Sequence, residues 1–153
     1  LLAQEQRVLA ALTDAEREQL SVLAITLDPA HDDQEVLATL AEGRDLHAPL
    51  HHLLTGVPSE VEHVLDTLGF ERRRDPVTGI IAHSNLFILV DRAGRIAYRF
   101  TLGGDQEAWL VEALRMLLRE SGPPRTAAEK WGLSPLSGGG SLPGACAAVS
   151  GLG

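Results

Sequence analysis

The stretch NLFILVDRAGRIAYRF, residues 85–100, decides the fold. Residues 85–90 and 95–100 read as two strands. Between them Asp91-Arg92-Ala93-Gly94 supplies an aspartate and a late glycine suited to a tight turn, so the spacing predicts an antiparallel hairpin. Immediately upstream, Ile80-Ile81-Ala82-His83-Ser84-Asn85 places an imidazole at the mouth of the first strand. A neutral imidazole is a good ligand for copper or zinc, and its charge can change near neutral pH. Downstream, Trp109, Leu110, Ala113, Leu114, Leu117 and Leu118 recur at helical spacing. They predict a helix lying across the hairpin, with Asp105 as its cap.

Working back toward residue 1, the pattern alternates helix and strand. Leu2, Val8, Leu9 and Leu12 predict an amphipathic helix over about residues 3–12. Thr13 with Glu16 forms a capping-box pattern that can restart a short helical turn. Residues 20–27 are nearly continuous in apolar and β-branched side chains, as expected of a parallel strand covered on both faces. That strand ends at Asp28-Pro29. Asp32 or Asp33 can cap the next helix, whose apolar positions are Val36, Leu37, Leu40 and Ala41 and which Gly43 is expected to stop. Residues 50–54 make a short strand. Ser59 with Glu62 forms a second capping-box pattern for a helix with Val61, Val64, Leu65 and Leu68 inward and Gly69 at its close. Residues 70–82 read as a long loop.

The order helix, strand, helix, short strand, helix, hairpin, helix predicts an α/β sandwich with a mixed sheet and helices on both faces. Residues 1–120 form that domain. From Ser121 onward Gly, Pro and Ser dominate and large apolar groups are few, so residues 121–153 are expected to be a flexible tail.

Composition excludes several classes. In 153 residues, 44% hydrophobic and 22% charged is a globular balance, sufficient for one domain with its own core. The net charge of -8 argues against nucleic acid as a partner, because nucleic-acid binders cluster Lys and Arg. The local basic run at Arg72, Arg73 and Arg74 reads as a solvated loop. No apolar run approaches the roughly 18–20 residues of a membrane span. A single cysteine, Cys146, rules out an internal disulfide or a C-x-x-C redox pair within these residues.

Three separated motifs give the chain a family resemblance over about residues 1–119. "ITLDPAHD" is a strand followed by Asp28, Pro29 and, after two variable residues, Asp32. "LLTG" at residues 53–56 looks like the next strand end. "AHS", followed by a hydrophobic strand and "VDRAGRI", completes the set in the same order and spacing. The sequence so resembles the Sco/SenC family of copper-binding, thioredoxin-like proteins.

The resemblance implies a thioredoxin-like fold, and it places the metal-ligand role on His83. It implies a copper metallochaperone or thiol-disulfide protein for assembly of the cytochrome c oxidase copper site, with that oxidase subunit or other copper and thiol-redox proteins as partners. A metallochaperone rather than an enzyme is expected, with thiol-disulfide oxidoreduction only if upstream cysteines exist. It further implies a periplasmic or extracytoplasmic location with a membrane anchor ahead of Leu1. In that family the histidine is joined by a C-x-x-x-C-P loop, and thiolates select Cu(I) while imidazole accommodates both copper oxidation states. The loop is absent from these residues and would lie just before Leu1, so the domain reads as N-terminally incomplete. Copper (Cu(I)/Cu(II)) is therefore expected in the intact protein and weakly or not at all in this fragment.

Two departures accompany this. Ala82 stands where members often carry Asp, which is expected to loosen the orientation of the ring. Ala82-His83-Ser84 also lacks the cis-proline of thioredoxins proper. The competing reading is a thioredoxin-like binding or scaffold domain without metal or redox activity. Among the other histidines, His51 and His52 point to opposite faces of any strand, so a cluster with His47 is not expected to hold metal. His31 and His63 are expected at the surface, and Asp28 is expected to fix the strand-to-helix turn.

Overall fold

Four consecutive side chains, Leu86, Phe87, Ile88 and Leu89, are buried, which only a strand covered on both faces allows. The computed structural model describes residues 2–101, 106–120 and 146–152. The elements in chain order are α1 (Leu2–Ala10), α2 (Asp14–Arg17), β1 (Leu20–Thr26), α3 (Gln34–Arg44), β2 (His51–Leu54) and α4 (Pro58–Leu68). They continue with β3 (Arg72–Arg74), β4 (Ile81–His83), β5 (Leu86–Val90), β6 (Ile96–Thr101), α5 (Gln106–Arg119) and β7 (Cys146–Leu152).

The main sheet has the order β2-β1-β7-β5-β6. β1 runs parallel to β2 and β7, and β5 runs antiparallel to β6 and β7, so the sheet is mixed as expected. Alternate side chains sort into two cores. Leu20, Val22, Phe87 and Leu89 pack with Val8 of α1 and with Leu110 and Leu114 of α5. On the other face Ile25, Leu86 and Ile88 pack with Val61 and Leu65 of α4, while Ala24, on the same face as Leu20 and Val22, packs with Leu37 of α3.

Local signals account for several boundaries. The capping box at α2 is formed: the Thr13 hydroxyl accepts from the Glu16 N–H, and the Glu16 carboxylate accepts from the Thr13 N–H at 2.8 Å. Asp33, not Asp32, caps α3, accepting from the N–H groups of Glu35 and Val36. Gly69 closes α4 at φ 74°, a left-handed conformation that glycine adopts without strain.

Four expectations are corrected. Gly43 does not stop α3, which runs to Arg44 and ends on Asp45 in the left-handed region; one interior glycine costs about 1 kcal/mol relative to alanine, too little to break a helix that tertiary packing supports. Ser59 and Glu62 form no capping box, because Pro58, whose φ is already fixed for a first helical turn, starts α4 earlier with Val57 as the cap residue. Residues 70–82 are not a plain loop. They contain β3 and the start of β4, paired antiparallel as a separate two-stranded ribbon with Arg72 opposite His83 and Arg74 opposite Ile81.

The fourth correction concerns the tail. Cys146–Leu152 forms the central strand of the sheet, paired along its length with β1 and on the other side with β5. Backbone ladders on two edges do not require large side chains, and a segment containing Ala147, Ala148, Ser150 and Gly151 can supply them. Residues 146–152 of the expected tail are therefore part of the sheet. Residues 121–145 and 153 lie outside the described residues, as does the proposed cap Asp105.

Candidate functional site

β1 and β7 end, and β5 begins, at one edge of the sheet. Thr26 is in register with Leu152, and Phe87 with Ser150, so the residues just ahead of β5 lie at that edge. His83 is there, the last residue of β4 and three positions before Leu86. Its ring is half-buried. Nδ1 lies 3.2 Å from the Ser84 carbonyl oxygen. That oxygen can only accept, so the bond puts the proton on Nδ1 and leaves the Nε2 lone pair free. A neighbouring carbonyl thus provides the acceptor that Ala82 cannot, where a loosely oriented ring was expected.

The ribbon bearing His83 is fastened on several sides. The Ser84 N–H donates to the Glu71 carbonyl at 2.9 Å, closing the open end. At the turn, the Asp75 carboxylate accepts from the N–H groups of Val77 and Thr78, each at 2.8 Å. Arg72 reaches α4, donating to the Asp66 carboxylate at 2.7 Å and to the Phe70 and Glu62 carbonyls at 3.3 Å each. Arg74 reaches Asp28 at 2.6 Å.

Asp28 fixes its turn, as the sequence suggested. Its carbonyl accepts from the N–H groups of His31 and Asp32, while the Thr26 hydroxyl donates to the Asp32 carboxylate and accepts from the Asp28 N–H. Its side chain has a further role. It accepts from Arg74 and from His31 Nδ1 at 2.8 Å, and these two hydrogen bonds, Arg74 first, hold the carboxyl below the usual carboxylate range. A depressed acid contributes stability above its unfolded pKa, about 3.9, and loses that contribution as pH falls through the folded value. The gap in urea midpoint between the native chain and Asp28→Asn, small because the Asp28–Arg74 pair is partly exposed, is therefore expected to be present at neutral pH and to close below about pH 4. A gap constant down to about pH 2.5 would contradict this sign.

Three further histidines have separate partners. His51 Nε2 meets the buried Glu5 carboxylate at 3.0 Å, His52 Nε2 bonds the Pro49 carbonyl at 3.0 Å, and His47 pairs with Asp45 at 3.2 Å. Among the described residues no three His, Cys, Asp or Glu stand close enough to share an ion. Cys146 is in register with Leu20, at the opposite edge of the sheet. At about 3.3 Å per residue, the length of β7 puts its backbone about 20 Å from the His83 edge. His83 is thus a single nitrogen donor with no thiol beside it. No helix among the described residues is long and apolar enough to cross a membrane.

Sequence reasoning missed Arg72, Arg74 and Asp66 as supports of the His83 ribbon. Their alternation, with Arg73 between, was the available signal.

Known proteins place this arrangement. No curated protein matches the chain. Two solved structures share its fold: Bradyrhizobium japonicum ScoI with copper bound, at 20% identity, covering 72% of this chain and 71% of that one with a TM-score of 0.57, and apo Sco1 from Thermus thermophilus in solution, at 22% identity, covering 74% and 67% with a TM-score of 0.57. The expected thioredoxin-like fold is borne out. The sequence model of the SCO1/SenC family matches residues 2–119, which is most of the chain. With the DP turn, the strand end and the histidine-bearing hairpin in that family's order, this chain belongs to the SCO1/SenC family.

Proposed function

We propose that this domain carries copper as cargo, as a metallochaperone or thiol-disulfide protein serving assembly of the cytochrome c oxidase copper site, with His83 as its nitrogen ligand. The observation that carries the reading is the His83 ring: a half-buried imidazole at the sheet edge, its Nδ1–H engaged and its Nε2 free. Family membership and the copper held by the ScoI structure support it. The partners that follow are the oxidase subunit with the copper site, or other copper and thiol-redox proteins, in a periplasmic or extracytoplasmic setting.

One imidazole cannot retain copper alone. It leaves most of the coordination sphere to water and offers no thiolate to favour Cu(I) over competing ions. A C-x-x-x-C-P loop of the kind the family carries would supply the further donors beside the His83 edge. Competition with a Cu(I) chelator tests this. The chain as it stands is expected to yield its copper, and the domain extended by that loop to keep it. Tight retention by the present chain would refute this ligand set, and no retention by the extended one would refute the reading and leave a binding or scaffold domain.

A further inference from the structure

A two-stranded ribbon has little stability of its own. The β3–β4 ribbon belongs to no larger sheet, yet it carries His83. Its strands are three residues each, and Ile81 is the side chain it sends into the neighbouring core. Its placement therefore depends on polar ties to the body of the domain. The tie to the β1–α3 turn is made by one carboxylate, that of Asp28.

The geometry of this tie is specific. Arg74 stands opposite Ile81 in the ribbon register, two residues from the Arg72–His83 pair. Its guanidinium donates to the Gly79 carbonyl at 3.0 Å within the ribbon and meets Asp28 Oδ1 at 2.6 Å outside it. Asp28 sits where β1 ends, so its position is inherited from the sheet. His31 donates to the same oxygen and keeps it aimed. Asp28 and Arg74 themselves line a cleft of about 500 Å³ together with Leu27, Pro58, Arg72 and Ile81, so the bridge borders open space rather than packed apolar side chains.

We infer that Asp28 and Arg74, with His31 as the second donor, form a positioning clamp that holds the β3–β4 ribbon against the β1–α3 turn and so presents His83 at the sheet edge. This rests on the reading of His83 as a copper ligand. Asp28 is a positioning residue here and does not touch the metal. The side chains of Asp28 and Arg74 are 24% and 43% exposed, and ion pairs of that exposure contribute little to global stability. The effect is local. Loss of the clamp leaves the sheet standing and lets the ribbon open more often.

The test uses the full chain with Asp28→Ala, Arg74→Met, Arg74→Lys and the charge-exchanged pair Asp28→Arg with Arg74→Asp. Two quantities are read by NMR: amide exchange at Arg73, Ala82 and Ser84, the inward-facing donors of the ribbon, without metal and against Ile88 as control, and the Cu(II) concentration that half-quenches the His83 ring signal. Asp28→Ala and Arg74→Met are each expected to speed ribbon exchange about tenfold, leave Ile88 unchanged and raise the half-quenching concentration several-fold. Arg74→Lys and the exchanged pair are expected to restore much of both. Unchanged exchange in both single variants would overturn the clamp, as would faster exchange with unchanged quenching, which would make the bridge merely structural. If His83 is not quenched even in the native chain, the ligand reading fails, while metal-free exchange still decides whether the bridge holds the ribbon.

Discussion

Replacing Val149 with proline is expected to destabilise the whole domain by about 3 kcal/mol, because a proline in a central strand removes a ladder donor and leaves its partner unsatisfied. Val149 is in register with Leu23 on β1 and with Ile88 on β5. No other strand joins the β2–β1 half of the sheet to the β5–β6 half among the described residues. Domains of this size have about 5–15 kcal/mol in all, so the loss is a large fraction of the total. Urea unfolding followed by far-UV circular dichroism should show a markedly lower midpoint, with faster amide exchange at Ile88. An unchanged midpoint would mean that Cys146–Leu152 does not fill the centre of the sheet, and would restore the picture of residues 121–153 as a tail.

The fold was legible where side chains decide it. Residues 20–27 and 85–90 read as buried strands because both of their faces are apolar, and the Asp91–Gly94 turn set the hairpin. In the structure the Asp91 carboxylate accepts from the Arg95 N–H at 2.8 Å and from its guanidinium at 2.7 Å, which is the physical content of that signal. What the sequence hid are elements that the backbone decides. Ala147, Ala148, Ser150 and Gly151 show no strand alternation, yet two flanking ladders suffice for β7. Arg72, Arg73 and Arg74 looked solvated because a ribbon outside the main sheet has no apolar face to announce it.

The candidate site was legible in the same uneven way. His83 stands at the mouth of β5, where the sequence put it. The acceptor for its Nδ1–H was not foreseeable, because a backbone carbonyl has no residue signature; Ser84 supplies it in place of the acidic residue that Ala82 replaces. The pairing of Asp28 with Arg74 joins residues 46 positions apart. No local pattern links such positions.

His83→Ala has the second large expected effect. It removes the imidazole assigned to the metal at the sheet edge, while His31 at the same end is turned to Asp28 and His47, His51 and His52 have partners elsewhere. In the domain extended by a C-x-x-x-C-P loop, the substitution should abolish the Cu(II) form's characteristic spectrum and weaken Cu(II) binding about tenfold or more, the size of effect typical of losing a metal-ordering group. Cu(I), which two thiolates can hold, should be affected less. The sheet should be unmoved, because His83 contributes no buried apolar contact to either core.

The most direct measurement is a substoichiometric Cu(II) titration of the present chain, with the ring signals of its six histidines resolved by NMR. Paramagnetic broadening marks the ring nearest the ion. If His83 is the nitrogen ligand, its signal is lost first and at the lowest Cu(II), and His83→Ala abolishes that first step while leaving the others in place. Broadening that begins at any of the other five rings, or a first step that survives His83→Ala, would contradict copper carriage at this site.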